Sequence, residues 1–427
     1  MTANYLVPGY CVADRTLKAP FDWTEESGGS IDLFFREIVD PSRRDDDLPL
    51  LLYLQGGPGG KGIRPMPKTD WLPEAIKHYR VIMPDQRGTG RSTPVDGHVI
   101  GAMPPEAAAE FLGHLLAGSI VRDFELIRRQ CYGGQRWFTL GQSYGGFLTF
   151  VYLSQFPEAL RGCYVTGGIP GIPPSADDVY RRTYPRARAK TEQYYRRYPQ
   201  DVAAVNAIAD RLADGDVQLP NGDPFTVRRL QSLGLDLGTK PGFERLHWLV
   251  EEAFAAPGRL SPGFAHNVLA RTSSANDPLF WPLQEFIYGS DDNGPMDWAA
   301  HRALRGRPEF DPTARPLMFT SEMALPWMFD EVSELKPFKP AVEMLMERVN
   351  WPTLYDPEAL AANGVPLQAL IYADDLYVDS GLQLQTLATV GNSHAWVTNE
   401  YEHDGIHNPP VFAKLYELMA ERGGGLR

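Results

Sequence analysis

Three short apolar runs of this 427-residue chain each end in a glycine-rich loop, and that repetition constrains the fold more than any other feature. "LPLLLYL" (48–54) runs into "QGGPGG", "YRVIMPD" (79–85) into "QRGTGRS", and "RWFTL" (136–140) into "GQSYGGF". Runs this short, without polar alternation, suit strands buried on both faces with functional loops at their carboxyl ends. A helical pattern, "SIVRDFELIRRQCY" (119–132), precedes the third run, and a helix is expected from the serine turn to about Phe156, before the strand pattern "GCYVTGG". Strands alternating with helices predict a largely parallel sheet covered on both faces, an α/β fold. Between Val12 and Val39 two strands around "APFDW", the second being the alternating "SIDLFFREIV", suit an antiparallel edge.

After "GGIPGIPPSADD" the pattern changes. Asp177 to about Arg348 shows helical spacing, many aromatics and Pro/Gly breaks, which predicts an inserted helical cap. Strand patterns resume at "VPLQALIYADD" (365–375) and "SHAWVTNEYEHDG" (393–405), and the chain closes on the helix "PPVFAKLYELMAER". The expected organisation is a core at 1–172, a cap at 173–348, and a second core segment at 349–427.

Hydrophobic residues at 43% and charged residues at 22% are ordinary for a globular chain. A formal charge of −13 without a basic stripe argues against nucleic acid as a partner. Cys11, Cys131 and Cys163 lie far apart, form no metal-binding spacing, and read as buried reduced thiols. The first residues lack the pattern of a signal peptide, and no apolar stretch approaches the ~20 residues of a membrane span, so no membrane partner and a cytoplasmic location are expected.

Gly141-Gln142-Ser143-Tyr144-Gly145 fits G-x-S-x-G between a strand and a helix, the context in which that motif presents a nucleophile. A turn this sharp strains the serine and needs neighbours without bulk. The bland alternative is a turn serine without chemistry. A serine hydroxyl needs a histidine to take its proton, and the histidine needs a carboxylate. With such an elbow the chain order is serine, acid, histidine, each at the end of a strand, which points to "YADDLYVD" and "NEYEHDGIH". His403 follows the last strand directly and is preferred to His407, a loop histidine before Pro409, and to His394, near the start of the strand. Asp375 is preferred to Asp374, expected to cap a turn, and to the more distant Asp379. The oxyanion donors, worth about 3 to 4 kcal/mol apiece, are expected to be the amides of Tyr144 and of Gly57 in "QGGPGG".

"QGGPGG", "DQRGTGRS" and "GQSYGGF", in this order, resemble the proline iminopeptidases of the α/β-hydrolase superfamily. The resemblance covers most of the chain and extends to "LVPGYCV", "APFDW", the two late strand ends and "TSEMALPWMF" in the cap. Gln55 stands where shorter members have histidine, a departure that leaves the loop amides intact. The resemblance implies an α/β-hydrolase fold with a helical cap, no cofactor or metal, and a peptide substrate with a free amino-terminal proline; the oligomeric state stays open. It also implies cap carboxylates that meet the substrate's charged nitrogen. Glu322 is the best candidate, with Trp327 and Phe329 lining a proline-sized slot, ahead of Glu251, Glu252 and Glu331. Asp85, Arg87 and Ser92 read as structural, an Asp/Arg pair beside glycines that fixes a loop. The rival readings are an esterase or amidase of the same superfamily and an inert binding protein that keeps the fold. An aspartate nucleophile, as in epoxide hydrolases or haloalkane dehalogenases, is disfavoured by Ser143 itself.

Overall fold

The computed structural model describes residues 3–25, 29–66, 70–290 and 294–424. The apolar runs become β4 (Leu50–Leu54), β5 (Arg80–Pro84), β6 (Trp137–Gln142) and β7 (Leu160–Thr166), and the late patterns become β10 (Leu367–Tyr372) and β11 (Ser393–Thr398). Upstream lie β1 (Ala3–Val7), β2 (Tyr10–Pro20) and β3 (Ser30–Val39). These nine strands form one sheet in the order β1-β2-β3-β5-β4-β6-β7-β10-β11. Pairing is antiparallel as far as the β3–β5 contact and parallel from β5 to β11. This α/β arrangement matches the fold expected from the sequence. All six parallel strands therefore deliver their carboxyl-terminal loops to the same edge of the sheet.

The two-residue period of a strand explains the unbroken apolar runs. In β4, Leu50, Leu52 and Leu54 join one core cluster, while Leu51 and Tyr53 join the other on the opposite face. The first face packs against α1 (Ala117–Cys131) and α2 (Tyr144–Gln155) through residues such as Phe124, Ile127, Leu148 and Val151. Between β7 and β10 the chain is mainly helical, beginning with α3 (Ala176–Arg197), and its one strand pair among the described residues is a small hairpin, β8 (Phe254–Ala256) with β9 (Arg259–Leu260). A helix α4 (Ser380–Leu387) separates β10 from β11, and α5 (Pro409–Glu421) covers the second face with Phe412 against Tyr164 and Trp71. Among the described residues no helix is long and apolar enough to cross a membrane.

Asp85, Arg87 and Ser92 hold loops, but Asp85 and Arg87 do not pair with each other. Asp85 accepts from the Gly62 amide at 3.0 Å and from Arg64 at 2.8 and 3.1 Å, which brackets the "QGGPGG" loop. The neighbouring Gln86 donates to the Gln55 carbonyl at 2.8 Å and fixes the same loop from its other end. Arg87, fully buried, pairs with Asp123 of α1 at 2.6 and 2.8 Å and donates to the carbonyls of Pro20, Phe21 and His114. Ser92 donates to the Asp85 carbonyl and accepts from the Phe34 amide. The cysteines differ from expectation: all three are free, but only Cys163 is buried, and Cys131 is exposed at the end of α1 because that position faces outward.

Removing one partner of a fully buried ion pair strands the other charge, whereas an exposed pair is screened by water. Arg87→Met is therefore expected to cost about 3–5 kcal/mol, and Arg64→Met less, about 1–3 kcal/mol, because Arg64 is half-exposed and the buried Asp85 carboxylate keeps the amides of Gly62 and Arg91 as donors. Urea unfolding midpoints of the two variants against the parent chain check the difference.

Candidate active site

Ser143 sits between the last residue of β6 and the first of α2 with φ 53° and ψ −124°, a conformation that costs a non-glycine residue about 1–3 kcal/mol. Its neighbours permit the turn because they lack side chains. A Cβ on Gly145 would overlap the carbonyl oxygen of Leu54, and one on Gly141 would overlap the carbonyl of Gly145. The Ser143 amide bonds to the Thr166 carbonyl of β7 at 3.0 Å, and Ser143 itself is half-buried.

The expected acid lies two strands away and the expected base three, on the same edge. His403 Nδ1 meets both carboxylate oxygens of Asp375, at 2.9 and 3.1 Å, and Asp375 is fully buried while Asp374 is exposed. Asp374 was expected to cap a turn; instead Asp375 does so itself, its Oδ1 accepting from the amides of Tyr377 and Val378. One carboxylate thus anchors its own loop and orients the imidazole. The glycine at 167 brings this loop to β7: a Cβ there would meet Asp375 Oδ2 at 3.2 Å and the Tyr372 ring. Burial opposes charging His403, but the Asp375 charge and hydrogen bond, then Glu322 and Asp404, outweigh it and raise the pKa above the ordinary value. His407 pairs with Asp70 instead, His394 is exposed at the start of β11, and Asp379 is tied to Arg182 and Arg186 of α3.

The Tyr144 amide opens α2, a position whose N–H has no acceptor within the helix. Gly57 adopts φ 134°, open to glycine and barely to other residues, and Gly56 leaves room for Ser143: a Cβ there would stand 3.2 Å from that of Ser143. Gly56 and Gly57 also line a cavity of about 500 Å³ whose lining includes Trp327, Phe280 and Trp281. Trp327 thus shares a cavity with the "QGGPGG" loop. Phe329 does not join it there; it is buried against Trp298.

Glu322 lies in the electrostatic field of the His403–Asp375 pair and hydrogen-bonds Gln284. Burial first, then the Asp375 charge, push its carboxyl up to about 7, against the opposing pull of His403 and Gln284. A second acid, Glu285, escaped the sequence reading. It is 1% exposed, and burial raises it to about 8 although the Ala300 amide donates to it at 2.8 Å. Among the described residues its other oxygen has no hydrogen-bond partner. Both acids act electrostatically on Tyr180 and Tyr288, so they share one buried region. The signal was available: "PLFWPLQEFIY" carries a lone acid inside an apolar run, where an unpaired carboxylate is costly. The weaker candidates fall away for physical reasons. Glu331 is engaged by Arg228 and Thr226, and Glu251 and Glu252 are exposed.

The insertion also grips the histidine loop. Lys190 of α3 donates to Glu402 at 2.6 Å, the Gly238 carbonyl accepts from the His403 amide at 3.1 Å, and Tyr377, edge-on to the His403 ring at 4.7 Å, donates to the Leu235 carbonyl.

The sequence profile of the alpha/beta hydrolase fold matches residues 49–211. A proline iminopeptidase of Aeromonas sobria is 42% identical over 408 residues, covering 94% of this chain and 95% of that protein. A proline iminopeptidase of Aspergillus aculeatus is 31% identical over 440 residues, covering 97% of this chain and 95% of that one. A tripeptidyl aminopeptidase of Streptomyces lividans is 28% identical over 229 residues, 46% of this chain and 42% of its own length.

With His403 as general base, the neutral imidazole is the working form, so kcat/KM falls as pH drops through its raised pKa. The acid limb is expected above the value of about 6.5 of a free histidine. Glu322→Gln removes one charge that raises this pKa and is expected to shift the limb to lower pH. The pH profile of kcat/KM on one substrate, parent against variant, measures the shift. For stability, a raised pKa contributes fully below the unfolded value and the contribution is lost as pH rises through the folded one.

Proposed function

The chain belongs to the proline iminopeptidase family, with the α/β-hydrolase fold, and from that premise we propose that it is a serine aminopeptidase releasing an amino-terminal proline from peptides. The observation that carries the proline-peptide reading is the placement of Glu322 within the field of the His403–Asp375 pair, beside the buried acid Glu285. An ester or amide substrate without a charged nitrogen has no use for two buried carboxyls there. A protonated proline nitrogen does: its charge favours ionisation of both acids, which burial alone holds partly protonated.

In this mechanism Ser143 Oγ attacks the proline carbonyl while His403 Nε2 takes its proton. Asp375 keeps Nδ1–H oriented and stabilises the imidazolium. The oxyanion forms against the amides of Gly57 and Tyr144. His403 returns the proton to the departing peptide amine, leaving a prolyl ester on Ser143. Water, deprotonated by the same imidazole, then releases free proline. The apolar side of the site is assigned to Trp327. Residues 173–348 act as the cap that carries Glu322 and Glu285 over a core made of 1–172 and 349–427. Three free thiols, one of them exposed, fit a reducing compartment, and a cytoplasmic location is part of the proposal.

Ser143→Ala is expected to lower kcat roughly 10⁵–10⁶-fold, as removal of a triad serine does elsewhere, with the unfolding midpoint kept, because alanine retains the Cβ that strains the turn. Glu322→Gln is expected to reduce kcat/KM on a proline arylamide at least about tenfold and to leave a short, uncharged acyl ester much less affected. A panel of proline arylamide, alanine arylamide and acyl ester on one chromogenic group reads both. Fast ester cleavage without proline amide turnover would replace the aminopeptidase by an esterase.

A further inference from the structure

Two groups of residues, one coupled to the His403–Asp375 pair and one beside Ser143, share no member. Glu322, Glu285, Gln284, Tyr288 and Tyr377 surround the place assigned to the proline nitrogen, and none of them lines the cavity that begins at Gly56 and Gly57. Gly56 belongs to both neighbourhoods, since it touches Ser143 on one side and forms cavity wall on the other. An acyl group held by the two acids, with its carbonyl on the Gly57 and Tyr144 amides, must send its leaving group away from the acids. The cavity is lined by Gly56, which lies against Ser143, and by Gly57, and neither of the two acids lines it. Its volume of about 500 Å³ lies within the range of roughly 300–1,000 Å³ that holds small ligands.

The wall has a definite chemistry. Phe280, Trp281 and Trp327 supply apolar faces, and Lys61, Arg64, Arg229 and Arg271 stand against a single lining carboxylate, Asp277. Three of these cations are already matched: Arg64 by Asp85, Arg271 by Asp236 and Arg229 by Asp223. Even so, Arg229 is fully buried and among the described residues its Nη2 has no acceptor. Lys61 donates to the Asn276 carbonyl at 3.3 Å, and among the described residues no carboxylate pairs with it. Among the same residues the buried Ser274 hydroxyl and Gln55 Oε1, also in this wall, have no partner. An apolar slot with an unmatched ammonium and unpartnered polar groups suits an amino acid that ends in a carboxylate.

We propose that this cavity is the leaving-group subsite and that it selects short peptides, those whose free carboxylate lies one or two residues beyond the scissile bond, by pairing that carboxylate with Lys61. The proposal rests on the aminopeptidase reading above and adds the substrate class to it. The test compares kcat/KM for prolyl-phenylalanine, its carboxamide, and a proline arylamide as common reference. The acid is expected to exceed the amide by roughly tenfold or more, mainly through KM, the size of one charge-assisted contact. Lys61→Met is expected to bring the acid-to-amide ratio close to one, and Lys61→Glu to invert it, with thermal melts confirming that both variants are folded. Equal cleavage of acid and amide by the parent enzyme, with the arylamide turned over normally, would overturn the subsite alone, as would a ratio that survives in Lys61→Met. Failure to cleave any of the three proline substrates would overturn the aminopeptidase reading and the subsite with it.

Discussion

The structure depends on a place where backbones meet with no room for a side chain between them. At the carboxyl edge of the sheet Gly145 lies against the Leu54 carbonyl, Gly146 against the Gly168 carbonyl, and Gly168 against Ser143. Close packing of this kind fixes the three loops relative to one another, because any Cβ would force them apart. The strain in Ser143 is held by that contact set and by the buried strands on either side. The Tyr144 amide is positioned by the same contacts, so the proposed nucleophile and one proposed oxyanion donor are set by one constraint rather than by separate ones.

Around this rigid edge the electrostatics are unbalanced by design of the burial pattern. His403 faces Asp375 directly and Glu322 and Asp404 at longer range, and each favours the imidazolium. Glu322 and Glu285 in turn lie where burial disfavours their charged forms. A cation entering between them would relieve the two acids and, by competing for Glu322, reduce its pull on His403. In the proposed function, substrate recognition and the basicity of the imidazole are therefore coupled through a single carboxyl.

The insertion contributes more than a wall. Its Lys190, Gly238 and Leu235 hold Glu402, His403 and Tyr377, so the loop that carries the base is clamped between the sheet and the helical segment. Displacing the insertion would disturb the Asp375–His403 geometry as well as the surroundings of Glu322 and Glu285.

Much of this was legible before any coordinates. Unbroken apolar runs encode strands buried on both faces, and glycines flanking Ser143 encode a steric demand that spans five residues; both are local, so β4 to β7, β10, β11 and the elbow could be read directly. The order of strands also pointed to Asp375 and His403. What the tertiary structure alone decided is who faces whom. Arg87 pairs with Asp123 rather than with nearby Asp85, Glu331 is engaged by Arg228, Asp375 rather than Asp374 caps its own turn, and Glu285 joins Glu322 from 37 residues upstream. The exposure of Cys131 and the short strands β1, β8 and β9 belong to the same class. Periodicity and steric need are written over a few neighbouring residues, whereas a buried charge finds its partner through chain closure over long separations, and that choice exists only once the core has packed.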